Sequence, residues 1–436
     1  MNQVVNTEMY FFDGKDGFFY VHFPIRGYAV KTAEENLPLL ERLQDRHPLD
    51  QTDWDNALIK TLLNQELISD SASPLPCIGD IEDFRPIEAT LLLTENCNLA
   101  CSYCYARSSK QTFKPMTKAI AKAAVDFVIG NAKKHKHKQA EFRFLGGGEP
   151  TIEWELLVWI TDYIRLSADT AGVRHWIRLI TNGVLITEDK VQWIKKNIQY
   201  VTLSCDILPE LQINRSFPNG KNSHKSVMRA AELLCKYNVP CHFRTTISFS
   251  ASGRLKEMVE YTRDNTGVKT IRLEPMAEIG RASDVEMTKP EQQKFVDSFI
   301  DAYEYGKKNG ILVTCKMMTN ITRRSSRFCG IEFAITAEGN VAGCHRYSRK
   351  ENDGFDFYHV GKFNSNEFIF NMNKINSLRK IDTTSFSDCQ QCFARWSCAS
   401  GCLSARLNND KVSQHGPLCH ITKELLKFSV MEALNG

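Results

Sequence analysis

The chain has 436 residues, 42% of them hydrophobic and 24% charged, which excludes a disordered or collagen-like protein. A formal net charge of +4 is too balanced for a nucleic-acid binder, and no apolar run approaches the ~18 residues of a membrane span. Met1 to Met9 lack the apolar core of a signal peptide, so a reducing cytosol is the expected location, where fifteen cysteines will not pair as disulfides and metal becomes their first explanation.

Residues 1–76 read as a small α+β module. Tyr10 to Asp13 and Phe18 to Phe23 flank Gly14 and Gly17, the pattern of a hairpin, and 28–30 is a candidate third strand. Thr32 with Glu35 three residues on has the form of a capping box, so a helix is expected from there through Leu37, Leu40 and Leu43. A second helix is expected after Asp53, through Ala57, Leu58 and Leu62. Residues 69–87 hold Ser71, Ser73, Pro74, Pro76 and Pro86 and read as linker, with the boundary set at 77–87.

From 88 to 308 strands and helices alternate. Strands are expected at 88–94, 141–145, 176–181, 200–205, 241–247 and 269–274. Amphipathic helices are expected near 116–130, 153–169, 187–197, 224–237, 254–266 and 289–308. Six such units imply a parallel sheet, open or partly closed, with helices outside. Lys133 to Lys138 reads as a solvated loop. From about 310 this rhythm stops. A hairpin turning at Glu338 to Asn340 is expected over 332–345, and an amphipathic helix over 420–434.

The cysteines are clustered rather than scattered, as ligands are. Cys97, Cys101 and Cys104 form C-x3-C-x2-C just past the first barrel strand. Structural zinc usually takes four ligands. Three thiolates on a four-iron cluster leave one iron open for a non-protein ligand. The loop also sits at the carboxyl end of a strand, where α/β barrels place their chemistry. A second set runs Cys329, Gly339, Cys344, then Cys389, Cys392, Cys398 and Cys402 as C-x2-C-x5-C-x3-C, then Cys419. Seven cysteines exceed one zinc site. Cys77, Cys205, Cys235 and Cys241 read as structural.

C-x3-C-x-aromatic-C, with Tyr103 as the aromatic, resembles the signature of the radical S-adenosylmethionine (SAM) superfamily. The resemblance extends to a glycine-rich turn, Gly146, Gly147, Gly148, Glu149 and Pro150, which in that family meets the SAM amino group. Gly147 and Gly148 would let the backbone approach closely, and Glu149 would supply charge. Thr181-Asn182-Gly183 is similar to the family's Thr-Asn-Gly. Ser204 and Asp206 match its Ser-x-Asp near the ribose. Arg244 is placed to meet the SAM carboxylate. Asn214 to His224 resembles an Arg…Gly-x-x-Ser stretch of the peptide-modifying branch; Arg272 to Pro275 and Gly280 to Ala282 are softer matches. The C-terminal cysteines resemble the SPASM extension of peptide maturases. This implies Cys329, Cys344 and Cys402 on a first auxiliary four-iron cluster and Cys389, Cys392, Cys398 and Cys419 on a second. The first is one ligand short: Arg323 stands where some relatives have a cysteine, and Cys315 is a substitute to be tested.

The implied fold is α/β: a partial (β/α)6 TIM barrel over 88–308, a SPASM domain over 309–436, and an N-terminal module over 1–76 that resembles a winged-helix RiPP recognition element. The implied cofactors are SAM and three [4Fe-4S] clusters. The resemblance implies reductive cleavage of SAM to a 5′-deoxyadenosyl radical, which takes hydrogen from a side chain of a ribosomally made precursor peptide and leads to a carbon–carbon, ether or thioether cross-link. Formylglycine formation in a sulfatase is the alternative reaction, and a non-catalytic iron–sulfur carrier the alternative of another class. Expected partners are a precursor peptide with its leader, bound as an added strand, and a flavodoxin- or ferredoxin-type electron donor. Neither nucleic acid nor membrane is expected.

Overall fold

The computed structural model describes residues 8–14, 16–45, 47, 49–68, 79–107, 113–277, 279–282, 287–318, 324–408 and 411–435. Three antiparallel strands come first: β1 Tyr10–Asp13, β2 Phe18–Phe23 and β3 Tyr28–Ala33. Val21 and Phe23 alternate onto one face and join Leu40, Leu43, Ile59 and Leu62 in a core of the module's own. Thr32 does not cap a helix. It lies in β3 opposite Phe19, where a β-branched residue packs well, and α1 Leu37–Gln44 starts later with proline in its first turn. The second helix is two short ones, α2 Gln51–Asp55 and α3 Ala57–Asn64. Asp53 is the third residue of a capping box whose cap is Asp50, and Asn56 caps α3.

The opposite face of β2, with Tyr20 and His22, lies toward the C-terminal helix Cys419–Asn435. The Asn435 amide donates to the Tyr20 hydroxyl at 2.8 Å. At the module's other end Glu8 accepts from the Trp396 indole at 2.7 Å, and Tyr10 and Phe12 meet the Phe393 ring. His22 is 1% exposed, and burial depresses its pKa to about 4. The unfolded chain therefore takes up the proton near pH 6.5 and the folded chain only near 4, so stability falls as pH drops through that window, by up to ~3 kcal/mol. Thermal melts between about pH 7 and pH 5 should show wild type losing more stability than His22→Leu. Parallel losses in the two proteins would refute this.

The strand–helix alternation then proceeds as its periodicity predicts. The strands are β4 Glu88–Leu91, β5 Gln139–Phe144, β6 Arg174–Thr181, β7 Tyr200–Ser204, β8 Cys241–Ile247 and β9 Thr270–Pro275. Between them lie α4 Lys118–Lys134, α5 Trp154–Ala171, α6 Glu188–Asn197, α7 His224–Lys236 and α8 Leu255–Asn265, and α9 Lys289–Asn309 follows. All six strands are parallel and in chain order. Phe142 and Phe144 pack with Val125, Val128 and Leu157 of the helices. The alternate residues of the strands, Arg143, Arg178, Arg244 and Glu274 among them, face the other way and make a polar lumen.

The arc does not close on itself. At one edge β10 Leu312–Thr314 adds in parallel to β9, past the boundary expected at 308. At the other edge β11 Ala334–Ile335 pairs in parallel with β4. The sheet continues antiparallel through β12 Asn340–Ala342, β13 His359–Asn364 and β14 Glu367–Phe370, giving eleven strands in one sheet. The expected hairpin over 332–345 is β11–β12, turning through Gly339 at φ +81°. The linker is pinned where it is described: Ile81 and Asn376 exchange two hydrogen bonds of 3.0 Å, and Lys380 pairs with Asp80 at 3.0 Å. No helix among the described residues is long and apolar enough to cross a membrane.

Candidate functional site

The loop after β4 lies across the carboxyl end of the barrel. Thr94, Glu95 and Asn96 lead into Cys97, and the glycine turn after β5 sits directly on them. The Gly148 amide donates to the Thr94 carbonyl at 3.0 Å and the Glu149 amide to the Asn96 carbonyl at 2.8 Å. A Cβ on Gly147 would fall 2.0 Å from the Glu95 carboxylate, and one on Gly148 would fall 1.9 Å from the Asn96 carbonyl. These glycines are therefore required first by the chain's own cysteine loop. Tyr105, next to Cys104, ties the loop to the turn by donating to the Gly146 carbonyl at 2.9 Å.

Glu149 is 3% exposed and its carboxylate is fully engaged within the chain. It accepts from the Thr151 amide and hydroxyl, from the Thr181 hydroxyl at 2.6 Å and from the Asn182 amide at 2.7 Å. Its charge fixes the Thr-Asn-Gly turn rather than standing open to a ligand. The Asn182 side chain donates in turn to Asn98 in the cysteine loop at 2.8 Å. Asp206 is likewise occupied. It accepts from the Tyr103 hydroxyl at 2.6 Å and pairs with Arg215 at 3.0 Å, while the Arg215 guanidinium lies 5.1 Å from the Tyr103 ring centre. Burial raises the Asp206 carboxyl, and Arg215 pulls against that. Ser204 lies opposite Arg244 on the neighbouring strand. The Arg244 carbonyl accepts from the Cys205 amide at 3.1 Å, and the carboxylate acting on its guanidinium is Glu274, which is itself paired with Arg272. Burial lowers the Arg244 pKa, as for a cation without a full counter-charge.

The thiols assort by the charge they feel from one another. Burial pushes Cys97 up to about 12, and Cys101 and Cys104 add to it. Burial pushes Cys101 up to about 11, again with Cys104 adding. In the C-terminal region Cys329 and Cys344 each feel Cys402, while Cys389 feels Cys392 and Cys419, and Cys398 feels all three of those. The ten cysteines thus fall into groups of three, three and four. Burial opposes ionisation at most of the thiols that shift, while Arg346 pulls Cys402 down, and sulfur donors in such sets suit iron–sulfur clusters. Cys315 is turned elsewhere: it is fully buried, its sulfur lies 3.2 Å from the Met317 sulfur, and the carboxylate acting on it is Glu274. Cys205 is buried, and its sulfur accepts from the Ile207 amide at 3.2 Å. Cys77 and Arg323 lie outside the described residues.

Several site residues carried no signal of their own in the sequence. Glu95 is 8% exposed, and burial pushes its pKa up to about 7. His345 follows Cys344, holds Glu332 at 2.8 Å, and meets the Tyr105 ring edge-on at 5.8 Å. Arg346 donates to the Ser404 hydroxyl at 3.1 Å beside Cys402. A cavity of about 780 Å³ separates the cysteine loop from the C-terminal region, lined by Tyr105, Arg107, Gly280, Arg346, Leu407 and Cys419 among others. One wall is thus next to Cys104 and another is itself a cysteine of the four-thiol group.

Residues 91–261 match the model of the radical SAM superfamily. The uncharacterized protein MJ0907 of Methanocaldococcus jannaschii is 31% identical over 171 residues, 39% of this chain and 56% of that protein, so the chain spans little more than half of its length. The cysteine-type anaerobic sulfatase-maturating enzyme of Clostridium perfringens is 22% identical over 364 residues, 78% of this chain and 95% of that one. The antilisterial bacteriocin subtilosin biosynthesis protein AlbA of Bacillus subtilis is 24% identical over 395 residues, 87% of this chain and 82% of that one. Among solved structures, anSMEcpe with bound AdoMet has a TM-score of 0.66 at 20% identity, covering 80% of this chain and 98% of that one. Streptococcus suis SuiB bound to precursor peptide SuiA has a TM-score of 0.51 at 14% identity, covering 96% of this chain and 100% of that one. Both share the fold.

Proposed function

We propose that this radical SAM enzyme modifies a ribosomally made precursor peptide, joining side chains through a carbon–carbon, ether or thioether bond. The observation that carries this reading is the assortment of ten cysteines into groups of three, three and four, the first at the barrel mouth. Cys97, Cys101 and Cys104 would hold the SAM-binding cluster; Cys329, Cys344 and Cys402 a first auxiliary cluster; and Cys389, Cys392, Cys398 and Cys419 a second. When bound, these groups supply a 5′-deoxyadenosyl radical able to take hydrogen from an unactivated carbon, and redox centres able to accept an electron afterwards.

The chain's own residues do the positioning. Arg244, opposite Ser204 and facing the lumen, would meet the SAM carboxylate. Glu149 fixes the turn that carries Asn182. Tyr105 closes one side of the cavity and helps keep water from the reacting atoms. In the N-terminal module β3 is an edge strand, the kind of edge a leader peptide extends by one more strand. Tethering the leader there would raise the concentration of the core peptide at the cavity. A flavodoxin- or ferredoxin-type donor would supply the reducing electron. Formylglycine formation is the second reading, favoured by the match to the cysteine-type anaerobic sulfatase-maturating enzyme over 95% of that protein's length.

Co-expression with short peptides encoded beside the gene, followed by mass spectrometry, decides between them. Peptide cross-linking gives a product lighter by two hydrogens, with fragmentation suppressed between the joined residues. Conversion of a sulfatase-derived cysteine to an aldehyde, with loss of sulfur, favours the second reading. Anaerobic reconstitution should give about twelve iron per chain; about four would sink the auxiliary clusters.

A further inference from the structure

Arg143, Arg178, Arg244 and Arg272 all face the barrel lumen, on the alternate positions of their strands. Arg143 of β5 stands directly opposite Arg178 of β6, and Arg178 opposite Tyr200 of β7. The carboxylates of the lumen are committed elsewhere. Glu88 and Glu141 both pair with Arg143, the latter at 3.8 Å, and Glu274 pairs with Arg272. Arg178 is left over. Its Nε is buried without a hydrogen-bond partner among the described residues, while the residue as a whole stays partly open to the lumen. Its guanidinium lies 5.7 Å from the centre of the Tyr200 ring, a cation–π contact that offsets a charge only in part.

Like charges directly opposite on neighbouring strands destabilise a sheet, and an incompletely paired guanidinium adds to that cost. The surroundings are positive. Burial and then Arg143 lower the Arg178 pKa, with Glu141 opposing them. The His242 ring, 5.3 Å from that of Tyr200, is depressed to about 4 by burial and then by Arg272, Arg178 and Arg244. A guanidinium fork presented to an open lumen at a cost in stability suits a bound carboxylate. Arg178 also stands three residues before Thr181, about 10 Å down the lumen from the turn that carries Asn182. A side chain near the reacting residue of a peptide spans that distance.

We propose that Arg178, flanked by Arg143 and Tyr200, binds a carboxylate of the peptide substrate, from an aspartate or glutamate side chain or from the peptide's own C-terminus. Arg178 is then a specificity residue: it selects peptides with an acidic group close to the modified position. The inference rests on the proposed reading of the substrate as a peptide.

Saturation-transfer NMR on the anaerobically reconstituted full chain, with SAM at saturation, tests this. N-acetylglutamate α-amide carries only a side-chain carboxylate, N-acetylalanine only a terminal one, and N-acetylglutamine α-amide neither. At least one of the carboxylates should bind saturably, with the neutral amide about tenfold weaker or more. The carboxylate that binds names the source. Arg178→Gln should lose the preference, keep the wild-type affinity for SAM and melt no lower than wild type, because it removes an incompletely paired cation. Binding of no probe, equal binding of all, or an undiminished preference in Arg178→Gln would overturn the proposal. So would weaker SAM binding by the variant, which would give Arg178 to the SAM carboxylate, or a lower melting temperature, which would make it a structural residue. The test needs neither turnover nor the native peptide. Its failure leaves the maturase reading standing, and failure of the co-expression experiment leaves this carboxylate site standing.

Discussion

Cys97→Ala should abolish reductant-dependent 5′-deoxyadenosine formation and lower the reconstituted iron from about twelve to about eight per chain. The effect is large because three thiols on one short loop have no spare: two will not retain a four-iron cluster whose remaining iron must stay open. The fold should survive. Cys97 lies in a loop between β4 and α4, and the apolar contacts that hold the barrel are made by strand and helix residues such as Leu91, Phe142 and Val125. Iron analysis with liquid chromatography of the SAM products checks both halves. Full iron with undiminished deoxyadenosine would remove the loop from the chemistry, whatever else the chain does.

Asp206→Ala should cost about 3–5 kcal/mol of stability and at the same time impair the cysteine loop. Asp206 is 2% exposed and is the anionic partner of Arg215, whose side chain is only 11% exposed. Removing the carboxylate leaves a buried guanidinium without a counter-charge and frees the Tyr103 hydroxyl, which anchors the loop between Cys101 and Cys104. Asp206→Asn keeps the volume and part of the hydrogen bonding, so it should fall between Ala and wild type. Denaturant titration of the protein before and after iron loading measures the stability term. A drop below ~1 kcal/mol for the alanine variant would mean that the loop is held from its other side, by Arg281, which donates to the Cys101 carbonyl at 2.7 Å.

The barrel was legible because most of its strands alternate apolar and polar residues over at least four positions and the helices between them repeat an apolar stripe, so the ends came within a few residues. β10 was not legible, nor was the pairing of β11 with β4: strands of three and two residues carry no period, and both pairings form because β9 and β4 offer unpaired edges. Thr32 was misread because a Thr…Glu spacing fits a cap and also fits the end of an edge strand. At the site, Cys97, Cys101 and Cys104 follow from spacing, since ligands on one loop are close in sequence, whereas the two interleaved C-terminal sets follow only from the family resemblance. The support beneath them follows from neither. Nothing local marks Glu95 as buried, or joins Asp206 to Tyr103 a hundred residues earlier. The glycines at 147 and 148 were legible as a tight approach, but what they approach is this chain itself, the Glu95 carboxylate and the Asn96 carbonyl.

The pairing of β11 with β4 has a mechanical meaning. β4 leads to the loop of Cys97, and β12, antiparallel to β11, ends two residues before Cys344. The proposed clusters of Cys97 and of Cys344 would thus both be mounted on one continuous hydrogen-bonded sheet, with β11 between their strands, rather than on domains joined by a tether. Electron tunnelling weakens steeply with every ångström, so a gap set by a ladder keeps one rate whatever the N-terminal module does. In the proposed maturase, motion of the module on capturing or releasing a peptide would change what enters the cavity and leave the spacing of these two clusters untouched.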